Sequence, residues 1–392
     1  MAYRWAMSIV VQKYGGSSVA DVEKIHRVAA KVVATRERGH DVVVVVSAMG
    51  KTTDELLGLA HAVDPSPPRR ELDMLLSTGE RISMALLSMA IQKRGVDAIS
   101  FTGSQSGIIT NDRHFDARII DVRPHRVEDE LARGRVVIVA GYQGMSYKRE
   151  ITTLGRGGSD TTALAMAAAL GAEHAEIYSD VDGVYSADPR VAPDATHLPE
   201  LSYDEMQEMA ESGAKVLHAK AVEFARQHRI AIRARSTFLE SGKETVVHEG
   251  VEPGEQVRAV VGQKGLARVS FDDGGEKVGF ALGHLRKAGV VSRDLRTADG
   301  RTELLVVTAQ TPDWEKNAKA LRADFGATIE EGFGAVSAIG GAGDPALALV
   351  ETLAGEGLAP TELIVTPVRV TVVLPEADTD AAVRAAHARL VG

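Results

Sequence analysis

Short apolar runs alternate with segments of helical spacing up to about residue 240. The runs at residues 8–12, 41–46, 135–140 and 176–179 read as strands, and between the first two the apolar positions recur as on one face of a helix. Residues 42–46 are five consecutive valines, which is typical of a strand buried on both sides. The alternation of such strands with helices predicts an α/β fold with a parallel sheet in a first domain at 1–248.

A different order follows a predicted linker at 249–262. Residues 263–331 read as strand, helix, strand, strand and helix, and residues 332–392 repeat that order at an offset of roughly 67 residues. Two βαββα units predict a pair of small ferredoxin-like modules. One irregular α+β domain is the alternative.

Composition and charge narrow the class of protein. The chain carries 45 Lys and Arg against 54 Asp and Glu, and this net charge of −9 argues against nucleic acid or an anionic membrane as main partner. The absence of cysteine excludes disulfides, thiolate metal sites and a cysteine nucleophile. No apolar run approaches the about 18 residues of a spanning helix, and Lys13 interrupts the N-terminal segment before a secretory core could form. We therefore expect a soluble, cytoplasmic protein.

Glycine-rich turns follow predicted strands at residues 15–18, 47–50, 141–144 and 155–160. Such a turn before a helix lets backbone N–H groups approach a phosphate, and the helix dipole adds to the attraction. A single turn of this kind is a weak signal. Several at the strand ends of an open α/β sheet favour a ligand site at that edge.

Two familiar nucleotide-binding motifs are excluded. Residues 50–53 look like the end of a P-loop, but Val45 stands where its first glycine should be. Asp160 stands where a dinucleotide-binding fingerprint needs glycine. Ser159 can instead cap the following helix, which we expect to end at Gly171, and a phosphate could bind at that N-terminus. A capped, alanine-rich helix without a ligand is the alternative.

Three charged residues beside glycine turns are candidates for chemistry. Lys13, near the end of an apolar strand, could reach a transferring phosphoryl group or be an edge-strand lysine. Glu80 could bind a substrate ammonium or only favour the dipole of the helix that starts there. Lys215, close to Gly213, is equally ambiguous. The residues alone leave these alternatives open.

Six segments taken together resemble the aspartate kinases of the amino-acid-kinase family. They are residues 13–18 (Lys-Tyr-Gly-Gly-Ser-Ser), 46–54, 77–81 (Ser-Thr-Gly-Glu-Arg), 101–105, 153–162 and 178–190. The resemblance runs from Ile9 to about Phe238. Because the match to the family's N-termini begins near Met7, that residue is a candidate for the natural start, with Met1 as the alternative. The two βαββα units resemble, more weakly, the tandem ACT domains of these enzymes. The implied fold is a three-layer αβα amino-acid-kinase fold with a mainly parallel sheet, followed by two ACT units.

The resemblance implies that ATP and L-aspartate react to give 4-phospho-L-aspartate and ADP, the first step of the aspartate-derived amino-acid pathway. Lys13 would stabilise the transferring phosphoryl group and Asp160 would orient that lysine. Aspartate would be held by Ser47, Thr53, Glu80, Arg156 and Ser159, with Glu80 on its ammonium and Arg156 on its α-carboxylate. ATP would be bound by Lys13, Gly15, Gly16, Ser17, Ser179, Asp180, Tyr185, Arg190 and Lys215. Mg²⁺ would accompany ATP, held mainly by its phosphates, and the ACT units would form a homo-oligomer.

The chain departs from the family pattern where effectors bind. The turn at 272–277 lacks the family's proline, and Pro367 stands near the position of a family Ser-Glu pair. Proline removes a backbone donor, and the glutamate that would receive an effector's ammonium is absent. The resemblance therefore implies feedback inhibition that is weak or altered.

Two other functions are weighed against this one. The first is a catalytically inactive, ACT-bearing amino-acid sensor, which the intact catalytic positions disfavour. The second is a kinase for a different amino-acid carboxylate, which Arg156 and Glu80 together disfavour because they fit an α-amino acid.

Overall fold

The structure, a computed structural model, describes residues 8–252, 254, 256–272, 276–311, 313–341 and 344–391, so the candidate start at Met7 lies outside it. It divides into two compact units, of which the first comprises residues up to 184, 197–210 and 215–252, and the second 185–196, 211–214 and the chain from 253. The elements up to His248 are β1 (Ile9–Tyr14), α1 (Val22–Glu37), β2 (Asp41–Val46), α2 (Thr52–Val63), α3 (Arg69–Leu76), α4 (Thr78–Gln92), β3 (Ala98–Phe101), β4 (Ile108–Thr110), β5 (Ile119–Val122), α5 (His125–Ala132), β6 (Val136–Ala140), β7 (Gln143–Ser146), β8 (Ile151–Thr153), α6 (Gly158–Leu170), β9 (His174–Ser179), β10 (Val184–Tyr185), β11 (His197–Leu198), β12 (Glu200–Ser202), α7 (Tyr203–Glu211), α8 (Ala219–His228), β13 (Ala231–Ser236) and β14 (Glu244–His248).

An eight-stranded sheet in the order β12-β14-β13-β9-β1-β2-β6-β3 forms the centre of the first unit. β1 pairs in parallel with β2 and β9, and β6 pairs in parallel with β2 and β3. β13 is parallel to β9, and only beyond it does β14 run antiparallel. The prediction of an α/β fold with a mainly parallel sheet is confirmed.

Helices cover both faces of this sheet. On one face α1 and α4 pack together over Val42, Val44 and Val46 of β2. On the other, α6 packs on β1 and β2, with α8 beside it. Every valine of β2 is fully buried, because neighbouring strands and both helix layers exclude water from it.

A second sheet in the first unit, in the order β5-β4-β7-β8, was not predicted. Its strands have only three or four residues each, and β7 reads Gln-Gly-Met-Ser, which is not an apolar run. Strands this short leave no hydrophobic period to detect. The sheet matters for function because β8 leads directly into the glycine turn at 155–157.

The second unit contains the predicted βαββα order twice. Its elements are β15 (Ala259–Phe271), α9 (Glu276–Ala288), β16 (Ser292–Ala298), β17 (Arg301–Val307), α10 (Trp314–Phe325), β18 (Thr328–Ile339), α11 (Pro345–Gly355), β19 (Glu362–Val365), β20 (Arg369–Pro375) and α12 (Thr379–Leu390). The six strands form one sheet in the order β16-β17-β15-β18-β20-β19, with β15 and β18 antiparallel at its centre. The prediction of two βαββα units is confirmed.

The two central strands of that sheet are longer than expected. β15 begins at Ala259, so the last residues of the predicted linker belong to the sheet. β18 begins at Thr328, four residues before the predicted start of the second βαββα unit at 332. Glycine and charged residues interrupt both strands, and their pairing shifts register between Gln263 and Arg268. Bulged, partly polar strand segments are not visible to a search for apolar runs.

Helices α3 and α4 follow each other almost without a break. By length and composition, residues 69–92 would suffice to cross a membrane. The most apolar window of this segment is 56% buried inside the protein, which is ordinary for a core helix, and Glu80 and Arg81 interrupt it.

Candidate active site

The turns after β1 and β2 lie against each other at the carboxyl edge of the main sheet. The backbone N–H of Gly15 donates to the carbonyl of Tyr178 at 3.3 Å, and that of Gly50 donates to the carbonyl of Gly16 at 3.0 Å. Gly16 has no room for a side chain, since a Cβ there would lie 2.9 Å from the carbonyl oxygen of Ala48. Three adjacent strands therefore end in one tightly packed backbone layer.

Lys13 points from β1 into this edge and pairs with Asp160 in the first turn of α6. The distance from Nζ to Oδ1 is 2.6 Å, and only 12% and 11% of the two side chains are exposed. Because β1 lies in the middle of the sheet, the edge-strand interpretation of Lys13 is wrong. Its ammonium lies 3.5 Å from where a Cβ of Gly15 would be, so it is held beside the first glycine turn.

The N-terminus of α6 differs from the prediction. Gly157 is the N-cap residue, the helix begins at Gly158, and no side chain caps it, so the prediction that Ser159 caps this helix is wrong. Ser159 is buried within the first turn instead, where its Oγ lies 2.8 Å from the position of a Cβ on Gly141. The predicted end at Gly171 is confirmed. The N–H of Gly158 donates to the carbonyl of Gly155 at 3.0 Å, so an anion at this end of α6 would meet the next N–H groups of the first turn.

Glu80 is a buried carboxylate in the first turn of α4, with 3% of its surface exposed. Its Oε1 accepts a hydrogen bond from the backbone N–H of Ala48 at 3.1 Å. Its Oε2 is buried and has no hydrogen-bond partner among the described residues. Burial raises the pKa of Glu80 to about 7, although backbone hydrogen bonds lower it. An unpaired buried carboxylate oxygen is costly, which indicates a place for a donor that the protein itself does not supply.

Arg156 is exposed in the turn between β8 and α6. Its neighbours Gly155 and Gly157 have φ values of 73° and 72°, a left-handed conformation that only glycine adopts readily, so the turn requires both. Burial raises the pKa of Tyr142 to about 12, and the charge of Glu80 raises it while that of Arg156 lowers it. Both predicted substrate-binding charges therefore act on the same residue, Tyr142.

Ser47 and Thr53 frame the loop that contacts Glu80. Ser47 follows β2 directly, and its backbone N–H donates to the carbonyl of Tyr14 at 3.1 Å. Thr53 is the second residue of α2. Both side chains are half-buried, so each is accessible to a small ligand.

The residues assigned to ATP are distributed less tightly. Ser179 is half-buried at the end of β9, and Ser17 and Asp180 are exposed next to the same edge of the sheet. Lys215 is exposed in the loop before α8. Tyr185 and Arg190 belong to the second unit.

Thr237 and His218 were not singled out from the sequence. Thr237 follows β13, and its Oγ1 lies 2.6 Å from the hydroxyl of Ser18 in the first glycine turn. His218 is the N-cap residue of α8, and a Cβ on Gly157 would collide with its ring. Burial lowers the pKa of His218, while the charge of Asp160 raises it. Thr237 directly follows a strand and His218 directly precedes a helix, and neither belongs to a recognisable sequence motif.

Glycine turns at the ends of parallel strands, an uncapped helix N-terminus and a lysine–aspartate pair between them define an α/β protein suited to binding phosphate groups. The sequence pattern of the amino acid kinase family matches residues 8–235, more than half of the chain. The chain belongs to the amino acid kinase family.

Within that family its relatives are aspartokinases. The chain is 43% identical to the aspartokinase of Mycolicibacterium smegmatis, over 97% of this chain and 96% of that one. It is 40% identical to the aspartokinase of Thermus thermophilus, over 97% and 98% of the two chains. The structure matches that of E. coli aspartokinase III in complex with aspartate and ADP (R-state) with a TM-score of 0.85, covering 98% of this chain and 100% of that one. At 24% identity, this last likeness shows the shared fold.

Proposed function

We propose that the chain transfers the γ-phosphoryl group of ATP to the side-chain carboxylate of L-aspartate, which yields 4-phospho-L-aspartate and ADP. Full-length similarity to two aspartokinases supports this activity, and so does the aspartate and ADP held by E. coli aspartokinase III. The cysteine-free sequence is compatible with the cytoplasmic location that we predict.

The observation that carries the proposal is the unpartnered Oε2 of Glu80. An α-ammonium group is a compact cation with several donors, and it would satisfy that oxygen and neutralise the carboxylate. Arg156 is exposed in the turn after β8 and presents a planar fork of donors that suits an α-carboxylate. The pair fits the two charged ends of an α-amino acid, and Ser47 and Thr53 would line the space beside it.

The chemistry needs little from the protein beyond position and charge. A side-chain oxygen of aspartate forms a bond to the γ-phosphorus, and the bond to the β,γ-bridging oxygen breaks, so that ADP leaves with the electron pair. A carboxylate is already ionised at neutral pH, so no general base is required. Lys13 would stabilise the negative charge on the transferring phosphoryl group, while Asp160 holds the Lys13 ammonium in place. Ser159, in the first turn of α6, would help to hold aspartate.

The nucleotide would lie along the glycine turns at the sheet edge. Its phosphates would meet Gly15, Gly16 and Ser17, and its nucleoside would meet Ser179, Asp180 and Lys215. Among the described residues no group of three or more His, Asp or Glu side chains could hold a metal ion. Mg²⁺ would be carried by the phosphates of ATP, where it would neutralise their charge.

Trapping of the acyl phosphate tests the proposal directly. The full chain is incubated with ATP, Mg²⁺ and hydroxylamine, with aspartate, with glutamate or with no amino acid. We expect hydroxamate only with aspartate. Hydroxamate with glutamate alone would indicate a different acceptor, and its absence from every reaction would contradict kinase activity.

The pKa of Glu80 predicts a pH dependence of aspartate binding. The group must be ionised to bind an ammonium, and its pKa of about 7 in the free protein means that it takes up a proton below that pH. We expect kcat/KM for aspartate to be flat above pH 7 and to fall about tenfold per pH unit below it, with ATP saturating. The KM for ATP should stay constant over the same range.

The Glu80→Gln variant is the control for this profile. Glutamine cannot titrate, so its kcat/KM for aspartate should be low at every pH and should no longer change around pH 7. An unchanged slope in this variant would assign the titration to another group.

We infer that amino-acid feedback on this enzyme is weak. Arg369, two residues after Pro367, pairs with Asp294 at 2.7 Å, and both side chains are only 7% exposed. Burial raises the pKa of Asp294, but the hydrogen bonds and charges of Arg369 and Arg293 together outweigh it and hold that pKa below its ordinary value. The described part of the second unit thus fills this region with its own ion pair, while residues 273–275 of the other altered turn lie outside the described chain.

Initial rates at sub-saturating aspartate test the feedback prediction. With millimolar lysine and threonine, singly and together, we expect less than about twofold inhibition, since a weakly bound effector cannot shift a conformational equilibrium far. Strong synergistic inhibition would show that an effector site exists in spite of the altered turns.

We also propose a homo-oligomer formed through the second unit. β16 and β19 are the outer strands of its sheet, and they expose Leu295, Leu363 and Val365. Outer strands with apolar side chains favour association with another strand. Light scattering coupled to size exclusion should give a mass of two or more times the 41.7 kDa of a single chain.

A further inference from the structure

Asp73, on α3, is a fully buried carboxylate to which no role has been assigned above. Its Oδ1 accepts a hydrogen bond from the hydroxyl of Thr153 at 2.6 Å, and its Oδ2 contacts Nδ1 of His114 at 2.6 Å. The backbone N–H of Phe115 points at both oxygens, at 3.1 and 3.2 Å. Four polar contacts inside the protein make this carboxylate the centre of a network.

The network reaches the turn that carries Arg156. The backbone N–H of Ala117 donates to the carbonyl of Thr153 at 2.9 Å, so the loop that begins at His114 runs beside the end of β8. A Cβ on Gly155 would lie 3.4 Å from the carbonyl oxygen of Phe115. The loop fixed by Asp73 therefore packs directly against the residue that precedes Arg156.

Tyr142 supports the same segment from the other side. Its carbonyl accepts from the backbone N–H of Leu154, the residue after Thr153, at 2.8 Å. Both Tyr142 and Phe115 have positive φ, 68° and 71°, which is unfavourable for aromatic residues and persists only where the surroundings impose it. Phe115 is held by Asp73 itself, and Tyr142 is bonded to the residue that follows Thr153, so the surroundings of this segment fix both conformations.

Asp73 and Glu80 lie seven residues apart on consecutive helices, α3 and α4, and the intervening Ser77 is itself helical. A seven-residue separation places two side chains on one face, about 10.5 Å apart along the axis. One rigid element thus presents Glu80 to the loop after β2 and Asp73 to the end of β8. The separation between Glu80 and the Arg156 turn is set through this element.

We propose that Asp73 is a positioning residue that sets the distance between Glu80 and Arg156, and thereby selects an acceptor that carries both an α-ammonium and an α-carboxylate. The inference rests on the proposed binding of aspartate by these two residues. Asp73 does not touch the substrate. It acts through Thr153 and the turn that follows.

Two variants test this role. Asp73→Asn replaces an acceptor oxygen with a donor, and Thr153→Val removes the hydroxyl while keeping the shape. We expect each to raise the KM for aspartate at least about tenfold while the KM for ATP and kcat change less than about threefold. Thr153→Ser keeps the hydroxyl and should restore a near-wild-type KM. Discrimination of aspartate against succinate and β-alanine, which each lack one α-substituent, should fall in the first two variants.

Asp41→Asn is the matched control. Asp41 is also a buried carboxylate of the first unit, paired with Arg36 at 3.2 Å, but it lies at the amino end of β2, away from the site. Its kinetic constants should match the wild type. If Asp73→Asn does not fold, the same kinetic measurements on Thr153→Val test the inference.

Equal increases in both KM values, or an unchanged aspartate KM in folded Thr153→Val, would overturn the inference. Failure of the wild type to form aspartyl hydroxamate would instead contradict the proposed function, so the two failures are distinguishable.

Discussion

Replacement of Lys13 with alanine should lower kcat by about 10²–10³-fold while the KM for ATP changes less than about threefold. The reason lies in when the charge is needed. The ammonium beside the first glycine turn is paired with Asp160 in the free protein, and its largest gain comes as negative charge develops on the transferring phosphoryl group. The phosphates of bound ATP retain the backbone N–H groups of the turns, so ground-state binding loses less.

Lys264→Ala is a suitable control for Lys13→Ala. Lys264 also pairs with a single aspartate, Asp380, at 2.7 Å, but the pair is exposed in the second unit. Its loss should leave kcat within about twofold, as for most exposed ion pairs. Steady-state kinetics with aspartate saturating would measure both. A near-wild-type kcat in Lys13→Ala would remove this residue from the mechanism.

Much of the fold was accessible from the sequence because its strands are buried. β2 was predicted with its observed bounds. Its five valines are all buried between two helix layers, so no polar residue interrupts the apolar run. The four-stranded sheet was missed because its strands have only three or four residues each, too few for a hydrophobic period to be detected. Hydrophobic pattern reveals an element only where burial depends on it.

The division into units shows a second kind of limit. Residues 185–196 lie within the first domain as predicted from the sequence, yet they group with the second unit. Ala187 and Ala192 are buried there in a core with Leu349 and Val372. The two alanines do not by themselves indicate which hydrophobic core they join, because that depends on contacts with residues more than 150 positions away.

The candidate site divides in the same way. Lys13 and Glu80 stand beside glycines, so local chemistry made them candidates, whereas the role of Arg156 was implied by the resemblance to aspartate kinases. Asp73 was not nominated, because its partners lie more than 40 residues further along the chain and nothing near it in sequence is unusual. Supporting residues of a site are defined by three-dimensional contacts, whereas the residues they support keep a local motif.

Replacement of Arg156 with alanine should raise the KM for aspartate about 10–100-fold, with less than about a threefold change in the KM for ATP. A guanidinium offers two parallel donors to a carboxylate, and alanine leaves the α-carboxylate with neither charge nor hydrogen bond. Arg156→Lys keeps the positive charge but lacks the two parallel donors, so its KM for aspartate should lie between those of the wild type and Arg156→Ala. Arg156 is exposed, so the substitution removes no buried contact and the fold should be retained.

Arg123→Ala provides the comparison, because Arg123 is an exposed arginine of the same unit whose Nε pairs with Asp121 at 2.8 Å, in a strand outside the main sheet. Its KM values should equal those of the wild type. Saturation curves for each substrate, with the other held at a saturating level, separate the two constants. If Arg156→Ala weakened ATP and left aspartate unchanged, the guanidinium would belong to the phosphate site, and the α-carboxylate would need another partner. If instead aspartate alone is affected, and Arg156→Lys recovers only part of the loss, then the planar geometry of the guanidinium, and not only its charge, holds the acceptor in line with the γ-phosphorus.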